Sequence, residues 1–160
     1  MEYHNIEPIY DASSKILILG SFPSVRSREQ RFYYAHAQNR FWKVISAVFG
    51  CDLPQTVDEK RAFLMQNGIA LWDCIKHCDI SGSADASIKN AEANDIGIIL
   101  QSGDIKAIFT NGKTAHNIYN KLILPKIGRE AICLPSTSPA NAAYSLERLI
   151  IEWRKAMKGI

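Results

Sequence analysis

The 160-residue chain is 47% hydrophobic and 22% charged, with a formal charge of +3, a composition that supports one packed core and excludes extended disorder. Its apolar runs fall short of the ~20 residues that cross a bilayer, and the opening MEYHNIEPIY lacks the charged-then-apolar layout of a signal peptide. A single domain over 1–160, in the cytoplasm, is the expectation.

The first element is KILILG (15–20), an apolar run closed by glycine that reads as a buried strand. The stretch from 21 to 38 that follows is far longer than the roughly two to six residues of an ordinary strand-to-helix link, and loops of that length tend to be functional. A helix is predicted over 39–50, where Phe41, Trp42, Ile45, Val48 and Phe49 fall at helical spacing between an Asn39 cap and a Gly50 stop. A second helix over 56–68 has Thr56 and Glu59 at capping-box spacing and ends at Gly68.

IALWD (69–73) is the next strand. CIKHC (74–78) brings two of the four cysteines around His77. A structural zinc site draws on four ligands, and no second pair exists here, so free thiols and no metal are expected. A helix over 94–103 starts at an Asn94 cap, although Gly97 weakens it. A strand at 105–110, a helix at 112–123 and a strand at 130–135 follow. The chain closes on an amphipathic helix at 145–158, capped by Ser145, with Leu146, Leu149, Ile150 and Trp153 inward. This alternation predicts an α/β fold: a three-layer α/β/α sandwich around a short, mainly parallel four-stranded central sheet.

In such sheets ligands bind beyond the carboxyl ends of the strands. Those ends are GSFPS (20–24), WDC (72–74), TNGK (110–113) and LPSTSPAN (134–141). None has the glycine spacing of a dinucleotide fingerprint or a P-loop. Thr110, Asn111 and the Gly112 amide form either an anion site at a helix start or an ordinary capped turn. Between Ser21 and Lys43, the cations Arg26, Arg28, Arg31, Arg40 and Lys43 face Glu29 alone, a local +4 that exceeds the +3 of the whole chain. That concentration fits a polyanion contact or a solvated loop. The loop ends in FYYAHAQNRFWKVI (32–45), which mixes rings with amides. Exposed tyrosines stack on unpaired bases at about 1–3 kcal/mol each, and enzymes that act on a base in duplex DNA must first extrude it.

YAHAQNRFWKVI, LPSTSPAN and SLERL resemble the uracil-DNA glycosylase superfamily. GSFPS, FYYAHAQNRFW, LWD and STSPAN resemble its hypoxanthine-DNA glycosylase branch in particular, which cleaves deoxyinosine, and the likeness runs from about Ile16 to Met157. The neighbouring mismatch-specific branch shares the NRFWKVI region. The superfamily supplies a water-activating Asp or Asn before the proline of the first loop, where this chain has Phe22. Its second motif opens with His or Asn, where this chain has Ser136. In the hypoxanthine branch the asparagine of the HxQN segment takes over catalysis, which implies Asn39, and the ring before the AH pair, Tyr34, stacks on the flipped base. The branch has proline where this chain has Ala37. The duplex-penetrating wedge falls on Ala140, with Asn141 or Tyr144 contributing.

The resemblance implies hydrolysis of an N-glycosidic bond by a monofunctional enzyme, since no lysine stands in a motif as a Schiff-base former. Asn39 would orient water at the sugar carbon, and the main-chain amides near Ser21 and Phe22 would donate to the base oxygen. Tyr34, Phe22, His36, Asp73, Asn111 and Ser136 are the candidate base-binding residues. Ser24, Arg26, Arg40, Lys113, Ser138, Pro139, Ala140 and Asn141 are the candidate DNA contacts. Locally, Asn39 reads equally as a helix cap, His36 as a packed histidine, and Asp73 and Asp85 as residues ordering their own turns. The expected partner is double-stranded DNA containing a deaminated base, met by a monomer without cofactor or metal. Competing readings are a uracil or G:U/G:T mismatch glycosylase, a non-catalytic DNA-binding relative, and a small-molecule nucleoside hydrolase.

Overall fold

KILILG and IALWD become strands β2 (Ile16–Gly20) and β3 (Ile69–Asp73), after a short β1 (Glu2–Tyr3). All five residues of β2 and of β3 are buried. Successive side chains point to opposite faces, so strands buried throughout need cover above and below, which is the condition for a sandwich. The structure is a computed structural model and describes residues 1–158. Two further strands, β6 (Ala107–Asn111) and β7 (Ile132–Leu134), complete a four-stranded sheet of order β3-β2-β6-β7, parallel at every pairing. Strands β4 (Ile75–Asp79) and β5 (Lys89–Ala93) lie between β3 and β6 in sequence and belong elsewhere.

The register sets the site. Gly20 pairs with Asp73, and Asn111 with Leu134, so the strands end together on one edge. Helices α2 (Phe41–Val48) and α7 (Leu146–Met157) cover the sheet and meet edge to face at Phe41 and Trp153, 5.9 Å between ring centres. Leu149, Trp153 and Met157, four apart, form the buried stripe of α7. The Trp153 indole donates to the Pro135 carbonyl at 2.9 Å, tying α7 to the loop after β7. Helix α3 (Val57–Gln66) begins in the capping box its sequence announces, with Thr56 and Glu59 bonded reciprocally at 3.1 and 3.0 Å.

Four features differ from the sequence expectation. The long loop at 21–38 contains a helix, α1 (Val25–Gln30), capped by Ser24. Strands β1, β4 and β5 form a second, antiparallel sheet of order β1-β4-β5. Its strands escape a periodicity reading because β1 has two residues and the β4–β5 register slips twice. Helix α4 starts only at Gly97 and ends at Ser102, and Asn94 does not cap it. That amide instead bridges the carbonyls of Asp73 and Ile75 at 2.9 and 3.1 Å, fixing the corner after β3. The helix expected at 112–123 runs as α5 (Lys113–Ile118), a π turn (Tyr119–Ile123) and α6 (Leu124–Ile127). Within CIKHC the residues face apart: Cys74 is buried against the Ala115 carbonyl, while His77 meets Glu92 at 2.7 Å. Among the described residues, no three His, Cys, Asp or Glu side chains converge as metal ligands, and no helix is long and apolar enough to cross a membrane.

Candidate active site

The site is built around Gly20. A methyl group on this residue would lie 2.4 Å from Asp73 Oδ1 and 3.0 Å from the Tyr34 hydroxyl, so the end of β2 must be glycine for those two groups to converge. Asp73 is 4% exposed. Its Oδ2 lies 2.8 Å from His4 Nε2. His4 Nδ1 accepts the Ile6 amide at 3.4 Å, which leaves the ring proton on Nε2, pointing at the carboxylate. Phe22, Tyr33 and Trp72 pack around the imidazole. Oδ1, the other carboxylate oxygen, has no hydrogen-bond partner among the described residues.

Tyr34 occupies the left-handed region at φ 52, a conformation costing roughly 1–2 kcal/mol in a non-glycine residue. One face of its ring stacks on Phe41 at 4.1 Å. Its hydroxyl is buried without a hydrogen-bond partner among the described residues, and such orphans are rare because they forfeit a hydrogen bond to water. Burial pushes the phenol pKa far up, the Asp73 charge adds to the rise, and the Asn111 side chain opposes it. The hydroxyl therefore stays protonated and is a hydrogen-bond donor.

Arg40 rather than Asn39 takes the N-cap position of α2; Asn39 stands one residue before it, and its Oδ1 accepts the Phe41 amide at 2.9 Å. The same oxygen accepts the Thr137 hydroxyl at 2.9 Å. Thr137, fully buried, receives the Asn111 Nδ2 amide on its Oγ1 and donates its own N–H to Asn111 Oδ1, both at 3.0 Å. The Asn39 oxygen is thus fully engaged, and its Nδ2 is left without a partner among the described residues. What Asn39 has left to offer a water or a base is therefore a donor.

A model of the uracil DNA glycosylase superfamily matches residues 7–157. The chain belongs to the uracil DNA glycosylase superfamily. It is 33% identical over 160 residues to a hypoxanthine DNA glycosylase of Methanosarcina barkeri, covering 99% of both chains. It is 36% identical over 142 residues to a hypoxanthine DNA glycosylase of Methanosarcina acetivorans, covering 88% of this chain and 89% of that one. A solution NMR structure of a candidate uracil DNA glycosylase from M. acetivorans superposes with a TM-score of 0.77 at 32% identity, over 94% of this chain and 92% of the other.

The remaining candidates of this superfamily member divide into three groups. Ser21, Phe22 and Asn111 stand at the same sheet edge as Gly20. The Ser21 hydroxyl donates to Asp85 at 3.0 Å. The Phe22 ring is buried beneath the Arg28 guanidinium, and the main-chain amides of Ser21 and Phe22 meet no acceptor among the described residues. A second group is absorbed locally. His36 is exposed and accepts the Gln38 amide; Ser24 caps α1; Ser136 accepts the Ser138 amide. The Thr110 hydroxyl faces His116, so the anion site proposed at TNGK loses both its hydroxyl and its asparagine to internal partners. A third group stays on the surface: Arg26, Lys113, Pro139 and Ala140 are exposed, while Ser138 and Asn141 are half-buried in the same 136–144 loop.

Arg40 is the clearest reassignment. Its guanidinium donates to the carbonyls of Ser138 at 2.9 Å, Asn141 at 3.1 Å and Tyr144, and its amide donates to Thr137 at 3.1 Å. It clamps the 138–144 loop rather than facing solvent as a phosphate contact. Arg28 is similarly tied, to Glu2 and the Gly82 carbonyl. His4 and Thr137 are the residues sequence reasoning missed. In sequence, Thr137 is marked only by its place between Ser136 and Ser138, and His4 stands in an N-terminal stretch without a motif. A cleft of about 280 Å³ lined by Lys15, Phe49, Asn67 and Arg154 opens at the other end of β2 and includes none of these residues.

Proposed function

We propose that the chain is a monofunctional hypoxanthine DNA glycosylase. It extrudes deoxyinosine from duplex DNA and hydrolyses the N-glycosidic bond without nicking the strand, as a cytoplasmic monomer. The observation that carries this reading is the meeting of Asp73 Oδ1 with the unpartnered Tyr34 hydroxyl beside Gly20. Hypoxanthine presents an N1–H donor next to an O6 acceptor, which a carboxylate and a phenol match in turn. Adenine presents an acceptor at N1 and a donor at position 6, opposing both groups. Sites built on such polar pairs reject the mismatched analogue strongly because buried groups are left unpaired. Uracil offers the same donor–acceptor pattern at N3–H and O4, so it is the competing substrate. The names of the two curated relatives favour the purine.

Cleavage builds positive charge on the sugar and negative charge on the departing base. The Ser21 and Phe22 amides and Asn39 Nδ2 are donors available to that charge, each worth about 2.7–4 kcal/mol where such donors have been removed from other enzymes. Phe22 leaves no carboxylate to activate water, so attack follows loosening of the bond to the base and turnover is slow. Extrusion costs a few kcal/mol, and the Pro139–Ala140 tip, exposed on its loop, would enter the vacated stack.

Single-turnover assays on duplexes containing inosine, uracil, xanthine or a G:T mispair test the proposal. Hypoxanthine release leaving an intact but alkali-labile strand is expected. Persistence of hypoxanthine at high enzyme while uracil is released would refute the assignment. Salt-sensitive binding with no abasic product, and an Asn39→Ala variant identical to wild type, would mark a non-catalytic DNA-binding protein.

A further inference from the structure

We propose that Thr137 is a positioning residue which, with Asn111, fixes the polarity of Asn39 so that its NH2 group alone faces the substrate. This rests on the glycosylase reading above and concerns how the Asn39 donor is held there. The direction of every bond is set from the two ends. At one end the Thr137 N–H can only donate, so Asn111 must turn Oδ1 toward it and Nδ2 toward the Thr137 hydroxyl. That hydroxyl, already accepting from Asn111, gives its proton to Asn39 Oδ1. At the other end the Phe41 N–H also demands an oxygen from Asn39. Flipping the Asn39 carboxamide would set donor against donor at Phe41 and leave the Thr137 proton facing nitrogen.

Each polar group of Thr137 has a partner in this array. Its carbonyl accepts the Arg40 amide at 3.1 Å, one residue past Asn39, so main chain and side chain both hold the 39–41 turn. The residue is fully buried and its hydroxyl reaches no solvent-facing phosphate. That separates it from Ser136 and Ser138 on either side, which are half-buried. The relay joins the end of β6, the loop after β7 and the start of α2, three elements brought together by the sheet edge. A donor aimed at a leaving base must be placed closely, and a displacement of ~1 Å can cost on the order of 100-fold in rate.

The experiment is a double-mutant cycle at saturating enzyme under single-turnover conditions, using the lesion the wild type excises best. Thr137→Val keeps the volume and removes the hydroxyl, and is expected to slow excision by about 10- to 100-fold, with Thr137→Ser recovering most of the loss. In an Asn39→Ala background Thr137→Val should change nothing further, because its effect passes through the missing carboxamide. An equal slowing in both backgrounds, or a Thr137→Val variant as fast as wild type, overturns the proposal. If the wild type releases uracil rather than hypoxanthine, the substrate assignment fails while the cycle still decides the relay. A second readout does not depend on turnover. The side-chain NH2 resonances of Asn39 and Asn111, identified by their loss in alanine variants, should both move in Thr137→Val and return in Thr137→Ser. An Asn39 pair that does not move rules the relay out.

Discussion

His4 and Asp73 are 69 residues apart in sequence, yet the His4 Nε2–H donates to Asp73 Oδ2 at 2.8 Å in a setting where both side chains are almost wholly buried. The N-terminal segment thereby orients a carboxylate whose other oxygen faces the proposed base site. Hydrogen bonds to charged groups contribute about 1.5–3 kcal/mol, and removing one partner also leaves the other unsatisfied. His4→Leu should lower urea-unfolding stability by roughly 2–3 kcal/mol and weaken selection of hypoxanthine over adenine. His4→Gln retains an N–H near the same reach and should restore most of both. Indistinguishable Leu and Gln variants would show that packing, not the donor, is what His4 supplies.

Tyr34 opposes stability and activity in a way one substitution separates. Its hydroxyl is buried and unpartnered, which costs the free protein about 1–3 kcal/mol. Tyr34→Phe should therefore be at least as stable as wild type at neutral pH and slower at excising hypoxanthine. Its phenol pKa is raised by burial and then by Asp73. Above pH about 10 unfolded phenols lose their protons while the folded one keeps its own, so below that pH ionisation takes nothing from the fold, and stability declines as pH rises further. Tyr33, raised for the same first reason, adds to that decline. Thermal melts between pH 8 and 11 should show a shallower alkaline fall for Tyr34→Phe than for wild type. A variant less stable at pH 7 contradicts the orphan-hydroxyl account.

The contrast between residues read well and residues read badly has a physical basis. Strand β2 and helices α2 and α7 follow from periodicity, which local sequence carries in full, and the Thr56–Glu59 box follows from spacing alone. Asn39 and Tyr34 are candidates because they sit in one contiguous motif. Asp73 was visible only as the polar end of a strand, and its importance comes from Gly20 and His4, neither adjacent in sequence. Arg40 reads as a phosphate contact from its charge, and charge says nothing about which acceptors reach it: its carbonyl partners lie about a hundred residues away. Thr137 looked interchangeable with its serine neighbours until the fold turned its hydroxyl inward. Residues that act through distant partners leave no local signature.

The Arg40 clamp makes a salt-titration prediction. Each phosphate contact adds about 0.9 to the slope of log affinity against log salt. Arg40→Ala should weaken binding to lesion duplex by loosening the 138–144 loop while leaving that slope unchanged. It should also speed proteolysis within the loop. Arg26, exposed and only 4.0 Å from Glu29, is the opposite case: Arg26→Ala should reduce the slope by about one. A unit drop for Arg40→Ala would restore it to the phosphate-contacting set.

Ala140 invites a gain rather than a loss. It sits exposed beside Pro139 at the tip of the loop that Arg40 holds, and in the proposed wedge role its methyl would fill little of the gap left by an extruded purine. The Ser138 hydroxyl accepts the Ala140 amide at 3.1 Å, so the backbone there is already braced for a larger side chain. Ala140→Leu adds three carbons, each worth about 0.8 kcal/mol when buried, of which partial burial would realise roughly 1–2 kcal/mol. Affinity for inosine-containing duplex should rise by about tenfold, with slower release of the abasic product. Single strands contain no stacked gap to fill, so their binding should not change. Equal tightening on single and double strands would mean the leucine binds DNA nonspecifically, and the loop tip would then have no claim to be the wedge.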